Sequence, residues 1–323
     1  MPSPPSFPAC RMKNSRVSAR TCPDFRQSAW DDHLSAHVAA AAAGWFAEDL
    51  GHECDWTTVS LVEAAAHSDL RVVARKPGVI AGLPAAAVVA AVADPELRFA
   101  PRVGDGAAVA AGEHVATLSG PTRSVLTAER TLLNLLGRLS GVATATRRLV
   151  DAVAGTSCRI YDTRKTVPGW RLLDKYATRM GGGWNHRTGL YDAILIKDNH
   201  LAAVATASLT PADAVRKARA FVAKTFPPAR SAAMVVEVEI DAVAQLEPVL
   251  AAGPDVVLLD NMQPEQLAEC VAMRNRCAPQ VVLEASGGVR LETAAAIAAT
   301  GVDRMSTAWP THDAPWLDVA LDW

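Results

Sequence analysis

Charged residues accompany the apolar runs in the second half of this 323-residue sequence. Five cations and four carboxylates lie within or close after these runs: Arg164, Lys165, His186, Arg187 and Lys197, and Glu237, Glu239, Asp260 and Glu284. Cations that meet at one place repel one another unless an anion binds, and arginine donates two parallel hydrogen bonds to carboxylate or phosphate. The residue types therefore predict a site for a multiply negative ligand. The alternative is that the cations pair with the carboxylates.

Two glycine-rich turns lie among these residues. Gly181–Gly183 precedes His186 and Arg187, where it lets a ligand approach the backbone closely. Ser286, Gly287 and Gly288 follow an apolar run and precede a helical pattern. Free backbone N–H groups beside a helix N-terminus bind phosphate. The second turn therefore predicts a phosphate loop, with a plain glycine turn as the alternative.

Glu239 and Asp260 end neighbouring apolar runs and offer oxygen ligands. Ligands of this kind, shared with phosphates and water, suit magnesium. We therefore predict a Mg²⁺ site at Glu239 and Asp260, although their spacing is equally compatible with a salt-bridge role. The sequence shows no Ser/His/Asp order, so no covalent intermediate is expected.

The elements that must position these residues are six apolar runs that alternate with helical segments after Gly141. The runs are residues 159–162, 194–197, 235–239, 256–260, 281–286 and 303–306. Each run finishes in polar residues, as expected of parallel strands whose carboxyl ends open on the active-site face of an α/β barrel. No G-x-G-x-x-G turn follows any run, which argues against a dinucleotide-binding sheet. The pattern therefore predicts a parallel α/β barrel.

The first half of the sequence predicts a smaller α+β unit. It combines helical patterns at residues 33–50 and 125–140 with short β runs at 70–74, 79–81 and 114–118. A polar stripe containing Arg130 runs along the second helix. We therefore predict an N-terminal α+β domain over residues 30–140 and the barrel over residues 141–310. Residues 1–29 show no periodicity and are predicted to be a disordered tail, either a targeting segment or an extended start.

Composition excludes several functions. The net charge of −2 argues against a nucleic-acid or membrane partner, and no run of 18 uncharged apolar residues predicts a membrane span. The six cysteines form no Cys-x-x-Cys pair, which indicates reduced thiols and a cytoplasmic protein.

Several segments resemble a known family. They are Glu129–Leu136 (ERTLLNLL), Asp162–Gly169 (DTRKTVPG), Gly181–Arg187 (GGGWNHR), Leu195–His200 (LIKDNH), Glu237–Glu239 (EVE), Leu259–Met262 (LDNM) and Leu283–Gly288 (LEASGG). Together they closely resemble the quinolinate phosphoribosyltransferases, also called nicotinate-nucleotide pyrophosphorylases (carboxylating). The resemblance runs from about residue 45 to the C-terminus.

The resemblance implies an incomplete α/β barrel with an N-terminal α/β sandwich over residues 30–140 that the C-terminal segment 311–323 joins, in a homodimer or a larger hexamer. It implies a decarboxylating pentosyltransferase that converts quinolinate and phosphoribosyl pyrophosphate to nicotinate mononucleotide, pyrophosphate and CO2 in NAD biosynthesis, with Mg²⁺. By motif, the positions around the quinolinate carboxylates and pyrophosphate are Arg130, Arg164, Lys165, His186, Arg187 and Lys197. Glu239 and Asp260 match positions near the ribose and metal, and Ser286, Gly287 and Gly288 match the 5′-phosphate loop. Of these residues, Lys165, Lys197, Glu239 and Asp260 are the predicted catalytic ones.

One segment departs from the family. Ala308 stands where a glycine near the phosphate is usual, and Trp309 and Pro310 follow it. Two alternatives remain beside the transferase: a relative associated with molybdenum transport, and a non-catalytic pyridine-nucleotide binding protein. The intact Lys165, Lys197 and Glu239 favour the transferase.

Overall fold

The computed structural model describes residues 24–203 and 209–323. The helices in these residues are α1 (Asp32–Leu50), α2 (Trp56–Leu61), α3 (Leu83–Ala93), α4 (Thr122–Ala152), α5 (Arg171–Met180), α6 (Asp198–Ala203), α7 (Pro211–Thr225), α8 (Pro228–Ala233), α9 (Leu246–Ala252), α10 (Pro264–Cys277), α11 (Leu291–Ala299) and α12 (Trp309–His312). The strands are β1 (His67–Ala74), β2 (Gly78–Val79), β3 (Arg98–Pro101), β4 (Ala108–Val109), β5 (His114–Pro121), β6 (Arg159–Tyr161), β7 (Ala193–Ile196), β8 (Val235–Ile240), β9 (Val256–Asp260), β10 (Val282–Ser286), β11 (Arg304–Ser306) and β12 (Val319–Asp322). Among the described helices, none combines the length and apolar character needed to cross a membrane.

The described chain divides into two compact units. The larger unit comprises Phe25–Gly189, Gly288–Ala298 and Met305–Trp323. The smaller unit comprises Leu190–Gly287 and Ala299–Arg304, with Asp24. The domain boundaries expected from the sequence, at residues 140 and 310, stay a prediction.

The larger unit contains a four-stranded antiparallel sheet in the order β12-β1-β5-β3. Leu70 and Val72 of β1 are buried and alternate with the exposed Asp69 and Arg71, as expected of a strand with one face on the core. Leu70 lies opposite Leu118 of β5. The C-terminal strand β12 pairs antiparallel with β1 and so returns the end of the chain to this sheet.

Helix α4 has 31 residues and continues well beyond the predicted end at residue 140. Its buried face includes Leu132, Leu136 and Leu139, which lie in the core of the larger unit. Gly137 and Gly141 let the C-terminal segment cross the helix closely, because Leu317 N donates to Gly137 O at 2.9 Å. A Cβ at Gly141 would overlap the Pro315 carbonyl oxygen.

The second sheet has six strands in the order β6-β11-β10-β9-β8-β7. Strands β7, β8, β9 and β10 pair in parallel, each with its neighbour. In the described residues the strand order does not close into a ring, which confirms the predicted incomplete α/β barrel. Each of the six apolar runs predicted as a strand is one.

Residues 24–29 correct the predicted tail in part. Phe25 is only 6% exposed, and Gln27 and Ser28 hydrogen-bond to Asn185. Phe25, Gln27 and Ser28 therefore pack on the fold, whereas residues 1–23 lie outside the described residues.

Candidate active site

The carboxyl ends of four neighbouring strands form a polar edge in the smaller unit. We call Lys197, Glu239, Asp260 and Ser286 the carboxyl edge. Ser286 pairs with Asp260, and Glu239 pairs with Leu258, two residues before Asp260. Lys197 follows Ile196, which pairs with Val238. Because residues two apart share a face of a strand and paired residues point the same way, all four side chains lie on one face.

Lys197 and Glu239 contact each other directly. Lys197 Nζ lies 2.5 Å from Glu239 Oε2, and the side chains are 41% and 14% exposed. The alternative in which the cations pair with carboxylates is therefore realised for Lys197. The pair still faces solvent, so a ligand can reach both groups.

Asn261 organises the other half of the carboxyl edge. Its Nδ2 donates to Asp260 Oδ2 at 2.7 Å, and its backbone N donates to Ser286 O at 2.9 Å. Asn261 has a φ of 53°, a left-handed conformation that is uncommon for residues other than glycine. Gly287 has a φ of 86°, and a Cβ there would overlap Asn261 Oδ1. Asn261 is not among the predicted site residues, because its only signal in the sequence is its place after Asp260 in the LDNM segment.

Glu237 and Glu284 do not belong to this exposed edge. Both are fully buried, and Arg304, itself about 4% exposed, places its Nε 2.5 Å from Glu284 Oε2. Arg304 Nη2 lies 3.9 Å from Glu237 Oε1. These two carboxylates were predicted to lie with the open acidic set, but they form a buried ion cluster, because each stands two residues before the strand-end residue of the carboxyl edge, Glu239 or Ser286.

A buried ion pair anchors the cation-bearing loops of the larger unit. Lys175 Nζ lies 2.5 Å from Asp162 Oδ1 and 2.8 Å from His186 O. Asp162 also accepts from the backbone N of His186 at 2.8 Å and from Asn185 Nδ2 at 2.8 Å. The loop after β6 and the segment 185–187 are therefore fixed to α5 by one charged centre, which is costly to break when buried.

His186 and Arg187 are held in place by this anchor and are 5% and 7% exposed. The backbone N of Arg187 donates to His186 Nδ1 at 2.8 Å. Nδ1 is therefore an acceptor, and in a neutral ring the proton lies on Nε2, which is a donor.

Arg164 and Lys165 follow β6 in the same loop. The Nε of Arg164 is buried and has no hydrogen-bond partner among the described residues. Lys165 is exposed, and its carbonyl oxygen accepts from Thr311 Oγ1 at 2.8 Å. The loop thus presents one exposed ammonium and one partly buried guanidinium.

Thr311 connects this loop to a second buried ion pair. Arg138 Nη2 donates to Thr311 O at 2.8 Å and to the two Asp174 carboxylate oxygens at 3.1 and 3.2 Å. Burial raises the pKa of Asp174 to about 6, although the Arg138 charge opposes this shift. Thr311 follows Trp309 and Pro310 in α12, so the unusual segment is tied to the Lys165 loop.

The two remaining predicted residues lie elsewhere in the larger unit. Arg130 is exposed on α4. Gly288 is exposed with a φ of 62°, and its carbonyl oxygen accepts from Thr293 Oγ1 at 2.9 Å near the start of α11. The backbone of the predicted phosphate loop is therefore accessible.

Glu239 and Asp260 fit the predicted magnesium site. Both offer carboxylate oxygens on the same face of adjacent strands and are only partly buried. Within the described residues, the Asp260 carboxylate accepts a hydrogen bond from the neutral Asn261 amide on Oδ2, so this group keeps oxygen available for a hard cation.

The parallel strands and their polar carboxyl edge place the chain among the α/β-barrel proteins that bind ligands at the strand ends. Residues 55–140 match the N-terminal domain of the quinolinate phosphoribosyl transferase family, and residues 142–322 match its C-terminal domain. The chain belongs to the quinolinate phosphoribosyltransferase family.

Proteins similar to this chain are named as nicotinate-nucleotide pyrophosphorylases (carboxylating). The nicotinate-nucleotide pyrophosphorylase (carboxylating) of Mycobacterium leprae is 45% identical over 277 residues, which are 85% of this chain and 93% of that protein. The probable enzyme of the same name from Synechocystis sp. is 41% identical over 277 residues, 86% and 89% of the two chains. The structure of nicotinate-nucleotide pyrophosphorylase from Francisella tularensis has 34% identity and a TM-score of 0.82, and the match covers 93% of this chain and 99% of that one. These names favour the transferase over the two alternatives.

Proposed function

We propose that the protein transfers the phosphoribosyl group of phosphoribosyl pyrophosphate to the nitrogen of quinolinate. The products are nicotinate mononucleotide, pyrophosphate and CO2, and the reaction is a step of NAD biosynthesis. The observation that carries this proposal is the carboxyl edge, where an ammonium, two carboxylates and a glycine turn share one face in a chain of this family. Such an edge suits a ligand with a ribose and several phosphates.

The larger unit supplies groups for quinolinate. This ligand has two carboxylates, and Arg164, His186 and Arg187 are donors held by the buried anchor. The partnerless Nε of Arg164 is a polar group that a carboxylate would satisfy, which removes the cost of leaving it buried and unbonded. Rigid donors pay little ordering entropy when the substrate binds.

The carboxyl edge supplies groups for the transfer itself. As the pyridine nitrogen attacks C1 of the ribose, positive charge develops on the sugar and negative charge on the departing pyrophosphate. Glu239 and Asp260 stabilise the first charge, and Lys197 stabilises the second. Glu239 and Asp260 would hold Mg²⁺, which would supply further neutralisation of the pyrophosphate charge. The backbone N–H groups of residues 286–288 hold the 5′-phosphate.

Loss of the 2-carboxylate follows from the same charges. The carbon–carbon bond breaks, its electron pair stays on the ring carbon beside the cationic nitrogen, and a proton from solvent replaces the CO2. The positive ring stabilises this electron pair electrostatically, so no covalent nucleophile is required.

We also infer a homodimer in which Arg130 reaches the partner's site. The support is the family resemblance of the ERT segment and the exposure of Arg130 on α4. A hexamer built from such dimers is the larger alternative.

Mass analysis of the products tests the proposed reaction. Mixing the protein with quinolinate, phosphoribosyl pyrophosphate and Mg²⁺ is expected to give nicotinate mononucleotide and CO2. Nicotinate in place of quinolinate is expected to react at least about a hundredfold more slowly, because a site built for two carboxylates is left with unpaired charge. Comparable rates with the two acids, or no mononucleotide from quinolinate, would overturn the proposal.

A further inference from the structure

A buried hydroxyl supports the backbone that follows the predicted phosphate loop. Thr307 is 7% exposed, and its Oγ1 donates to the carbonyl oxygen of Val289 at 2.9 Å. The same Oγ1 accepts from the backbone N of Trp309 at 3.1 Å. Because a hydroxyl has one proton and the Trp309 N–H can only donate, the Thr307 proton is directed at Val289 O. Val289 comes directly after Gly288, so this bond fixes the peptide next to the loop.

A second hydroxyl supports the same stretch of backbone from α11. Thr293 Oγ1 accepts from the backbone N of Arg290 at 2.9 Å. It donates to the carbonyl oxygen of Gly288 at 2.9 Å, with Arg290 O farther away at 3.2 Å. The peptide between Val289 and Arg290 is thus bonded at both ends, through its carbonyl to Thr307 and through its N–H to Thr293. The peptide before it is bonded through the Gly288 carbonyl.

These bonds set the direction of a backbone N–H group at the loop. A peptide unit is planar and trans, so its carbonyl and its N–H point in opposite directions. Since the Gly288 carbonyl is bonded to Thr293, the Val289 N–H of the same peptide points away from Thr293. Within the described residues, the Val289 N–H has no protein acceptor, although Val289 is only 5% exposed. A buried N–H without an acceptor costs free energy, which a phosphate oxygen would remove.

We propose that Thr307 is a positioning residue for the 5′-phosphate of the substrate. Together with Thr293 it holds the peptides on both sides of Val289, so the Val289 backbone is fixed with its N–H directed at the phosphate. Donors held in place before binding lose less entropy when the ligand arrives. The inference rests on the proposed function, because it assumes that the substrate phosphate lies at this loop. Thr307 acts only through the backbone, since its proton is used by Val289 O.

Calorimetry with ribose 5-phosphate tests the inference without any turnover. Thr307→Val keeps the shape of the side chain but replaces the hydroxyl with a methyl group, so it is expected to raise the Kd for ribose 5-phosphate about three- to tenfold. Thr307→Ser keeps the hydroxyl and is expected to match the wild type. Quinolinate has no phosphate, and its Kd is expected to be unchanged in both variants.

Steady-state kinetics extends the test to the reaction. In Thr307→Val the KM for phosphoribosyl pyrophosphate is expected to rise about three- to tenfold, while the KM for quinolinate and kcat change less than about twofold. A loss confined to the substrate that carries the phosphate is the signature of positioning. General damage to the fold would affect both substrates.

Thr156→Val is the matched control. Thr156 Oγ1 also donates to a carbonyl oxygen, that of Val153 at 2.8 Å, and also accepts from the backbone N two residues later, that of Cys158 at 3.2 Å. Thr156 lies in the turn after α4, outside the predicted site residues, so Thr156→Val is expected to leave all binding and kinetic constants unchanged. If Thr307→Val does not fold, Thr293→Val decides the matter, because Thr293 is exposed. It is expected to raise the Kd for ribose 5-phosphate about threefold.

The outcomes separate the inference from the proposed reaction. If the wild type binds ribose 5-phosphate but forms no nucleotide from quinolinate, the proposed function fails while the Kd of Thr307→Val still decides the role of Thr307. A folded Thr307→Val with unchanged Kd and KM would overturn the inference. Equal losses for quinolinate and ribose 5-phosphate, or a wild type that does not bind ribose 5-phosphate, would overturn it as well.

Discussion

Lys197 and Glu239 bring opposite charges into direct contact at the carboxyl edge. In the proposed reaction these two groups have separate roles, since Glu239 is assigned to the sugar, which becomes positive, and Lys197 to the pyrophosphate, which becomes negative; their 2.5 Å contact neutralises both charges before the ligand binds. The pair is partly exposed, so ligand groups can compete for each partner. Asp260 is bonded to neutral Asn261 and remains the freer carboxylate.

Removal of the metal is expected to separate the two substrates. A chelator should abolish turnover but leave quinolinate binding within about twofold, because Glu239 and Asp260 are assigned to the ribose and pyrophosphate. Asp260→Asn should likewise lower kcat/KM by about a hundredfold or more with little effect on quinolinate binding. Calorimetry of quinolinate with and without chelator checks this, and equal losses of binding and turnover in Asp260→Asn would contradict the assignment.

Asp174 gives a pH dependence that can be measured. Its pKa is raised to about 6 by burial, against about 4 in an unfolded chain. Between these values the native state binds more protons than the unfolded state, so the free energy of unfolding falls as the pH rises through this window. Above about pH 6 the loss is complete.

The matched comparison is with Asp174→Asn, which does not titrate. The free energy of unfolding of the wild type, minus that of Asp174→Asn, is expected to fall by up to about 3 kcal/mol from about pH 4 to pH 7. Urea denaturation at several pH values checks this. A difference that is flat or rises with pH would mean that the Arg138 charge outweighs burial.

At the scale of residues, residue type and motif nominated candidate side chains for the chemistry but did not reveal the residues that hold them in place. Arg164, Lys165 and His186 were nominated by type and motif. The residues that support these side chains could not be found in the same way. Lys175 Nζ bonds to Asp162, which lies 13 positions away, and Asn185 Nδ2 donates to the Lys175 carbonyl oxygen. Contacts between such separated positions leave no local pattern in the sequence. The sequence prediction wrongly placed Glu237 and Glu284 in the exposed set. Residues two apart on a strand share a face, and the sequence alone does not show that Glu237 is buried while Glu239 is partly exposed.

At the scale of elements, α4 shows how packing overrides a local signal. The predicted helix ends at Ser140, directly before Gly141, and glycine is a common helix-ending residue, yet the helix continues to Ala152. The glycine is used instead for close approach, since the backbone of Pro315 and Trp316 occupies the space of its missing side chain. That crossing depends on residues 174 positions later, so the sequence could not show it locally.

Two glycine substitutions in helices test this explanation. Gly141→Ala is expected to lower the free energy of unfolding by about 1–3 kcal/mol, because a Cβ would overlap fixed backbone atoms. Gly44→Ala in α1 is the control: nothing lies within 4 Å of its Cβ position, so it is expected to stabilise by about 0.5–1 kcal/mol. Urea denaturation compares the two, and equal stabilities would contradict the packing explanation.

The N-terminal strap, residues 25–28, is a second element that local patterns could not predict. It has no helical or strand periodicity, and its bonds to Asn185 span 157 and 158 positions. A short segment held by side-chain amides and one aromatic ring resembles an unstructured tail in composition. Only the fold supplies the surface on which it packs.

At the scale of the whole molecule, the barrel was predictable because its signal is repeated. All six apolar runs change to polar residues at their C-terminal ends, which indicates that the six strands point in the same direction, as in a parallel sheet. The C-terminal strand β12 pairs with β1 of the four-stranded sheet, and the sequence has no repeated signal for this pairing. It was expected only from the family resemblance. Association between chains is likewise invisible in the periodicity, and only an experiment on two chains can address it.

The proposed homodimer makes a prediction about Arg130 and Arg164. Both belong to the larger unit, but Arg130 is exposed on α4 and is assigned to the partner's site, whereas the Nε of Arg164 is buried in the loop after β6 of its own chain. Arg130→Ala and Arg164→Ala chains are each expected to be nearly inactive. In a dimer that joins one chain of each kind, one site carries both defects and the other carries neither, because the symmetric interface presents the same residues from both chains.

Random pairing makes about half of the dimers mixed, so refolding an equal mixture is expected to return roughly a quarter of the wild-type activity. If both arginines served the site of their own chain, every site would keep one defect and no activity would return. Native mass spectrometry of the refolded mixture counts the mixed dimers, and mixed dimers without recovered turnover would exclude a site shared between chains.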